Sequence, residues 1–382
     1  MKKIVTIGEL GIIITGNTPP RSNPKLYGNY TPFIKATDIS ETEKYTYHPE
    51  EYYSEEGYNK YIKSLIPKGS TCVVTIGSIG KKMTMAHCDL FINQAMNAII
   101  PNENFDNEYV YYAVKNILPN IKMLDSGTAS GRENVSKSAF SKMQILIEDN
   151  IITQRRIAEI LSHYDSLIEN YQKQIKLLEE SAQRLYKEWF VDLRFPGHEN
   201  TKIVDGVPEG WEKKCLGELV CFKRGKTITK REIIEGNIPV VAGGTEPAYY
   251  CNKSNTRNRV ITISASGANA GYTRMYFEEI WASDCSFIDC SMTNYFHFIY
   301  CYLIANKIAI DNLQKGAAQP HVYPKDINAL TLCRPHNDIL DSFESKISYY
   351  FDLISSLQIQ IHKLIEARDR LLPKLMNGEI EV

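Results

Sequence analysis

The sequence lacks the features that mark secreted, zinc-binding and membrane proteins. Its nine cysteines are scattered without a C-x-x-C pair, which argues against a disulfide framework and a zinc site and predicts reduced thiols. Glu9 interrupts the apolar run after Lys2 and Lys3, and no small-residue cleavage site follows, so a signal peptide is not expected. The longest apolar stretch, residues 296–305, is about half of the roughly 20 residues that span a bilayer. We therefore expect a cytoplasmic protein without a membrane partner.

A net charge of either sign is also missing. The 382 residues carry 44 basic and 45 acidic side chains, a balance that disfavours a strongly basic nucleic-acid binder acting alone. The balance is uneven along the chain, because residues 1–150 hold 16 basic and 16 acidic side chains whereas residues 200–335 hold 16 and 13. Overall charge thus leaves room for local basic patches.

The common catalytic motifs are absent as well. Gly225-Lys226-Thr227 resembles the end of a phosphate-binding P-loop, but Val220 stands where that motif needs its first glycine. The segment 267–271 lacks the spacing of a dinucleotide-binding loop, and a tight turn is the better interpretation. Neither H-E-x-x-H nor G-x-S-x-G occurs. These absences predict a chain that is not itself an enzyme and that holds no cofactor or metal.

Two long heptad repeats are the strongest positive signal. Each exceeds four heptads, which is typical of helices that pair with another helix rather than lie on a globular surface. The heptad positions of the second repeat run from Phe343 through Arg368 to Leu371. The predicted interface comprises Ile157, Leu161, Ile168, Ile175, Leu178 and Leu185 of the first helix and Ile347, Ile354, Leu357, Ile361, Leu364 and Leu371 of the second.

The chain repeats itself. Gln172, Ile175 and Leu178 match Gln358, Ile361 and Leu364 at an offset of 186 positions, Gly8-Glu9-Leu10 matches Gly217-Glu218-Leu219, and residues 71–75 match residues 259–263. Short β-branched runs at 71–76, 97–101, 239–242 and 260–264 predict strands, and residues 109–117 and 296–307 predict short helices. Thr153 is a candidate start for the first long helix, Asn337 or Asp338 for the second, and Gly378 suits the end of the second.

These patterns predict an α+β (mixed α/β) tandem repeat. The expected domains are 1–150, a long helix 151–195, a second mixed domain 196–335, and a second long helix 336–382. The mixed domains show no repeated strand–helix crossover, so no Rossmann-type sheet is expected.

Polar, glycine-rich loops occupy matching places in both halves. Arginine, lysine, asparagine, glutamine and histidine are the side chains that contact phosphates and base edges, although ordinary solvated loops carry them too. The candidate DNA-binding residues are Lys35, Lys81, Lys82, Ser130, Arg132 and Asn134 in the first half and Arg224, Lys226, Thr245, Asn269, Gln319 and His321 in the second.

Several strings then resemble one family. QRRIAEIL at 154–161, WFVDLRFPG at 189–197, VPEGW at 207–211 and LLPKLMNGEI at 371–380 look like the specificity subunit of type I DNA restriction–modification enzymes, and TPP at 18–20 with FIKATDI at 33–39 is similar to the opening of a target-recognition domain. The resemblance covers the whole chain. Residues 240–245, VVAGGT, depart from the pattern of 33–39 and indicate a different subtype of target-recognition domain in the second half.

The resemblance implies a non-catalytic reader of double-stranded DNA. Each target-recognition domain would read one half of a bipartite, asymmetric target, and the two helices would pair as an antiparallel coiled coil with pseudo-two-fold symmetry. The partners would be two adenine methyltransferase subunits that use S-adenosylmethionine, joined in some systems by a restriction motor subunit that uses ATP and Mg. Two other hypotheses remain at this point. A coiled-coil scaffold that binds only protein predicts no salt-dependent DNA binding by the complex, and an enzyme with an unrecognised site predicts turnover by the isolated chain.

Overall fold

The protein is described by a computed structural model covering residues 2–125, 133–229, 231–316 and 319–382. It divides into two compact units. Unit 1 comprises Met1–Gln172 and Ile359–Val382, and unit 2 comprises Lys173–Gln358. The predicted domain boundaries divide the chain by sequence segment, whereas the units divide it by contact, so each unit includes part of both long helices.

Over residues 2–125 and 133–186, the chain forms nine strands and five helices. The strands are β1 Lys2–Thr6, β2 Gly11–Thr15, β3 Tyr27–Ile34, β4 Glu51–Tyr53, β5 Thr71–Val74, β6 Met83–Met85, β7 Phe91–Ile92, β8 Met96–Pro101 and β9 Gln144–Glu148. The helices are α1 Ile7–Leu10, α2 Glu55–Tyr61, α3 Asn107–Ile117, α4 Lys137–Lys142 and the long α5 Ile151–Tyr186, which continues into unit 2. Short 3-10 turns lie at Pro24–Leu26, Ile62–Ser64 and Leu118–Leu124.

The remaining elements form unit 2 and the second long helix. The strands are β10 Ile203–Val204, β11 Val207–Pro208, β12 Glu212–Cys215, β13 Lys223–Arg224, β14 Ile238–Val241, β15 Tyr249–Cys251, β16 Val260–Ser264, β17 Thr273–Tyr276, β18 Trp281–Ala282, β19 Cys285–Asp289 and β20 Thr331–Arg334. The helices are α6 Leu216–Leu219, α7 Phe296–Ala305, α8 Lys307–Asp311, α9 Pro324–Asn328 and α10 Asn337–Asn377, which ends in unit 1. A π-helical turn Lys187–Val191 follows α5, and 3-10 turns lie at His198–Asn200 and Gly267–Asn269.

The sheets of the two units have the same topology. A four-stranded antiparallel sheet has the order β2-β8-β5-β6 in unit 1 and β13-β19-β16-β17 in unit 2. A three-stranded sheet, β4-β3-β7 or β15-β14-β18, contains one antiparallel and one parallel pair in each unit. A two-stranded ribbon, β1-β9 or β12-β20, completes each set. The predicted tandem duplication and mixed fold class are confirmed.

Local details of the repeat agree as well. The Gly-Glu-Leu strings form α1 and α6, and Glu9 and Glu218 each accept a hydrogen bond from the backbone N–H of the residue three positions earlier, at 2.6 and 2.9 Å. The runs predicted as strands include β5, β8, β14 and β16, and the two predicted short helices correspond to α3 and α7. Helix periodicity and strand alternation therefore locate the main elements from sequence.

Helix α5 starts at the predicted segment boundary of 151, two residues before the candidate start Thr153. The helix begins at Ile151, not at Thr153, because the side chain of Asn150 accepts hydrogen bonds from the N–H groups of Ile152 and Thr153, at 2.8 and 3.3 Å. Asparagine is preferred over threonine as an N-terminal cap, so Asn150 was the stronger candidate in the sequence. At the other end, α10 stops at Asn377, and Gly378 has the left-handed φ of 78° that suits a helix end.

Within each unit the two long helices are antiparallel neighbours. In unit 1, Asp165 of α5 contacts Arg368 of α10, and the earlier Ile157 shares its core cluster with the later Leu375. In unit 2, Tyr186 and Trp189 contact Phe343 with ring centroids 6.3 and 5.7 Å apart. The predicted antiparallel pairing of two long helices is therefore present in both units.

The strings WFVDLRFPG at 189–197 and VPEGW at 207–211 contribute their aromatic residues to one cluster in unit 2. The rings of Phe195 and Trp211 lie 4.8 Å apart, and Phe190 lies 6.0 Å from Trp211 and 4.9 Å from Phe343. These strings thus join the end of α5 to the start of the second mixed domain through buried aromatic surface.

The helix pairing can be tested at two adjacent residues of α5. Ile168 is 3% exposed, whereas Leu167 is 42% exposed. We expect Ile168→Ala to lower the free energy of unfolding by about 2–3 kcal/mol, because it removes buried methyl groups and leaves a cavity. Leu167→Ala should cost less than about 1 kcal/mol, and urea unfolding of the two variants measures the difference. Equal losses would mean that Ile168 is not in the buried interface.

Candidate nucleic-acid interface

In each unit, the loops that follow equivalent strands meet at one edge of the four-stranded sheet. We call this the loop edge: residues 15–18, 75–82 and 133–135 in unit 1, and residues 224–227, 265–271, 283–284 and 319–322 in unit 2. In unit 1, Val135 N–H donates to Thr75 C=O at 2.9 Å, and in unit 2, Val322 N–H donates to Ala265 C=O at 3.0 Å. Isolated β-bridges join Ile76 to Asn134 and Ser266 to His321. The same backbone scaffold therefore presents Asn134 in one unit and His321 in the other.

Each loop edge contains a glycine that lies against the backbone of a neighbouring strand. These are Gly16 in unit 1 and Gly225, the glycine of the P-loop-like string, in unit 2. Gly16 N–H donates to Met96 C=O and Gly225 N–H donates to Cys285 C=O, at 3.1 and 2.8 Å. A Cβ atom would lie 2.2 Å from the Ile92 carbonyl oxygen at Gly16 and 2.3 Å from the Ser283 carbonyl oxygen at Gly225. The backbone comes too close to a neighbouring strand for any side chain.

The residue after each glycine is then held by a main-chain bond. Asn17 N–H donates to Ile92 C=O and Lys226 N–H donates to Ala282 C=O, at 3.0 and 2.9 Å. Asn17 and Lys226 are therefore equivalent, and the G-x-T string that both halves carry is the sequence signal that would have located this point.

Three predicted residues of unit 1 lie at its loop edge. Lys81 is exposed and Lys82 is half-buried in the turn between β5 and β6, where Lys82 C=O accepts from Val74 N–H at 3.1 Å. Asn134 N–H donates to the Asp125 carboxylate at 2.7 Å. Ser130 and Arg132, which were also predicted, lie outside the described residues.

Lys35, a predicted DNA-binding residue, forms ion pairs with two carboxylates. It follows β3, and its ammonium group lies 2.5 Å from Glu50 and 3.0 Å from Glu51. The hydrogen bond to Glu50 raises the pKa of Lys35 above its ordinary value, so the side chain is charged but already paired. The Asp38 carboxylate accepts from Lys35 N–H at 2.8 Å, which identifies the Ile-Lys-x-x-Asp string as a turn.

Most predicted residues of unit 2 reach the surface at its loop edge. Arg224 is paired with Asp284, which also accepts from the Ser266 hydroxyl. Lys226, Asn269 and Gln319 are exposed. The side chains of Lys226 and Asn269 are therefore accessible to a ligand. A ligand that binds the Arg224 guanidinium has to compete with Asp284 for it.

His321 and Thr245 are positioned through their backbones. His321 exchanges two main-chain hydrogen bonds with Lys315, both 2.9 Å, and its half-buried ring stacks on Tyr323. Thr245 is exposed, and its C=O accepts from Arg274 at 2.6 Å. The guanidinium of Arg274 also lies over the Tyr276 ring and pairs with Glu246, so it holds the 243–246 loop against β17.

Sequence reasoning missed the exposed tyrosines on the three-stranded sheets. Tyr249 and Tyr250 on β15 are exposed, and Tyr30 on β3 is exposed with its ring 5.4 Å from that of Tyr58. Lys253, close in sequence to the two tyrosines of β15, lies over the Trp281 ring at 5.0 Å. Exposed aromatic side chains are common at binding surfaces, and the adjacent pair Tyr249-Tyr250 was the available signal in the sequence.

The predicted helix-interface residues differ in burial. Those that are fully buried are Ile157, Leu161, Ile168, Ile347, Ile354 and Leu357. Those that are partly buried are Ile175, Leu178, Leu185, Ile361, Leu364 and Leu371. Within the described ranges, no group of three or more histidine, cysteine or acidic side chains could hold a metal, and no helix is long and apolar enough to cross a bilayer.

Comparison with known proteins identifies the duplicated architecture. The family model described as the type I restriction modification DNA specificity domain matches residues 2–180 and 208–368. The MjaIX specificity subunit of a type I restriction enzyme from Methanocaldococcus jannaschii is 30% identical over all of this chain and 93% of that protein. A putative type I specificity subunit from Mycoplasma genitalium is 27% identical over 81% of each chain.

A solved structure shares the fold. The crystal structure of the S subunit of a type I restriction–modification system from M. genitalium superposes with a TM-score of 0.59 at 18% identity, covering 98% of this chain and 96% of that one. The family model matches both halves of the chain, in agreement with the two equivalent sheet sets and loop edges. The chain therefore belongs to the family of type I restriction–modification DNA specificity proteins.

Proposed function

We propose that this chain reads a bipartite, asymmetric target in double-stranded DNA, with one half-site at each loop edge. The observation that carries the proposal is that the two units share one scaffold but present different side chains at equivalent positions. Asn134 in unit 1 corresponds to His321 in unit 2, and the exposed Lys226 in unit 2 corresponds to Asn17, whose amide is hydrogen-bonded to Ser64 and Tyr53 within unit 1. Because different side chains favour different base edges, two such readers would recognise two different half-sequences.

The exposed side chains suit both kinds of DNA contact. Lys81 and Lys226 can bind phosphates, which fix the position of a protein on the duplex but carry no sequence information. Asn269 and Gln319 offer the paired donor and acceptor that match adenine in the major groove. His321, Asn134, Thr245 and, once released from their carboxylates, Lys35 and Arg224 complete the proposed set.

The reaction itself would belong to partner subunits. Relatives of this chain are named as specificity subunits of restriction enzymes, which fits a subunit that supplies recognition to a larger complex. We propose that two adenine methyltransferase subunits dock on this chain and bring S-adenosylmethionine, and that a restriction motor subunit joins with ATP and Mg. In such a complex the partners would supply much of the phosphate affinity that the near-neutral net charge of this chain does not.

Segment exchange tests one reader at a time. Residues 1–150 would be replaced by the matching segment of a relative, and methylated adenines would be mapped in cells that also express the methyltransferase partner. We expect one half of the methylated motif to change and the other half to stay the same, since residues 196–335 are untouched.

The reciprocal exchange of residues 196–335 is the matched control and should change only the other half. A change of both halves in either hybrid would contradict the assignment of one half-site to each reader. Methylation that is identical with and without this chain would favour a protein scaffold instead.

A further inference from the structure

A buried ion pair interrupts the apolar contact between the long helices in unit 1. Arg368 of α10 is 2% exposed and Asp165 of α5 is 8% exposed, with Nη1 and Oδ1 2.5 Å apart. Tyr112 donates its hydroxyl hydrogen to the second oxygen of Asp165 at 2.5 Å. Asp369, which is next to Arg368 on the same helix and half exposed, accepts from Arg368 Nε at 2.9 Å. Arg368 therefore has one carboxylate on its own helix and one, Asp165, on the partner helix.

The equivalent crossing in unit 2 is apolar. With the repeat offset of 186, Arg368 corresponds to Ala182 and Asp165 corresponds to Phe351. Ala182 and Phe351 are both buried in the same apolar core cluster of unit 2. The contact between the long helices at this position is therefore ionic in unit 1 and apolar in unit 2.

This difference matters because the two helices have similar seams. A duplicated chain can in principle exchange helices with a second copy, so that α5 pairs with α5 and α10 pairs with α10. In that arrangement Asp165 would face Ala182 of the other copy, and Arg368 would face Phe351 of the other copy. Arg368 would then be buried without the carboxylate of a partner helix, which is costly for a charged group.

We propose that the Asp165–Arg368 pair selects the partner of each long helix. It favours pairing of α5 with α10 over pairing of each long helix with its own counterpart in a second copy of the chain. A single polar pair that specifies helix partners at some cost in stability is a known role for buried charges and amides in coiled coils. This inference concerns the assembly of the chain and does not depend on the proposed DNA target.

The test compares full-length chains refolded together. Equal amounts of ¹⁴N- and ¹⁵N-labelled chain would be unfolded, mixed, refolded and analysed by native mass spectrometry for dimers of mixed label. Arg368→Ala gives this position the residue that its equivalent, Ala182, already has. We expect at least a tenfold higher fraction of mixed dimers than in the natural chain, because exchange no longer buries a cation. Mixing chains that are already folded should give no mixed dimers.

Two further variants separate partner selection from stability. Arg368→Lys keeps the cation and should give no more mixed dimer than the natural chain. Leu161→Ala removes a fully buried side chain of the same helix pair, and we expect it to lower the melting temperature without raising the dimer fraction. An Arg368→Ala chain that gives no more mixed dimer than the natural chain would overturn the proposal, as would an Arg368→Lys chain that exchanges as readily as Arg368→Ala.

Discussion

Replacing Gly225 with alanine is expected to abolish methylation of the entire bipartite motif. The added Cβ atom would lie 2.3 Å from the carbonyl oxygen of Ser283 and 2.7 Å from the carbonyl carbon of Ala282. Both are backbone atoms of the strand region that also bonds Lys226 N–H, so neither can move without displacing the loop edge. Overpacking of this kind usually costs about 1–3 kcal/mol, and here the displacement falls where unit 2 would read DNA.

Gly16, the equivalent glycine of unit 1, should be equally intolerant of a side chain. Gly16→Ala would place its Cβ 2.2 Å from the carbonyl oxygen of Ile92 and should disable the other reader. Because the proposed recognition needs both half-sites, either variant should remove methylation at every site, as mapped in cells with the proposed methyltransferase partner. Both variants should also unfold at a lower temperature.

Gly244→Ala is the matched control for this experiment. Gly244 lies in the neighbouring 243–246 loop, and its φ is not in the left-handed region. A Cβ atom added there would have the Glu246 carbonyl oxygen as its nearest neighbour, at 3.3 Å. We expect methylation by this variant to match that of the natural chain. Full methylation by Gly225→Ala would show that the close strand approach does not position the reader.

The fold was largely predictable because its signals are local or repeated. Heptad spacing located α5 and α10, and β-branched runs between turn residues located β5, β8, β14 and β16. The internal repeat carried the most weight, since two weak patterns at a constant offset support one another. The candidate start Thr153 lies two residues after the start of α5, because Asn150 caps the helix instead.

The candidate site was less predictable because its charges depend on distant residues. Lys35 is paired with Glu50 and Glu51, and Arg224 is paired with Asp284, which is 60 positions away. No spacing rule connects an arginine with a carboxylate on a strand-end loop so far along the chain. The two glycines were visible in the sequence, but their role is to allow close strand contact, and only the backbone arrangement shows it.

The second large effect is expected at Glu344 of α10. Helix α7 begins at Phe296 without a side-chain cap of its own, so its first N–H groups need an acceptor from elsewhere. Glu344 supplies it: one oxygen accepts from His297 N–H at 3.0 Å and from His297 Nδ1 at 2.7 Å, and the other accepts from Phe298 N–H at 3.1 Å. A negative charge at a helix N-terminus adds favourable electrostatics to these bonds.

The imidazole of His297 connects this cap to further groups of unit 2. Arg259 Nη1 lies 3.2 Å from His297 Nε2, and the ring stacks on Phe351 with centroids 4.9 Å apart. Since an arginine can only donate, Nε2 is the acceptor and Nδ1 carries the hydrogen that is donated to Glu344. Loss of Glu344 would leave the imidazole and two backbone groups without their acceptor.

We therefore expect Glu344→Ala to lower the free energy of unfolding by about 4 kcal/mol, as measured in urea, because three largely buried donors become unpaired. Glu344→Gln keeps one acceptor oxygen and should lose about half as much. Glu366→Ala is the control on the same helix: Glu366 is exposed and pairs with Arg370 one turn later, an arrangement worth about 0.3–0.5 kcal/mol. If Glu344→Ala were as mild as the control, α7 would be held by its apolar contacts alone, and the carboxylate of α10 would not be what fixes the second mixed domain to its long helix.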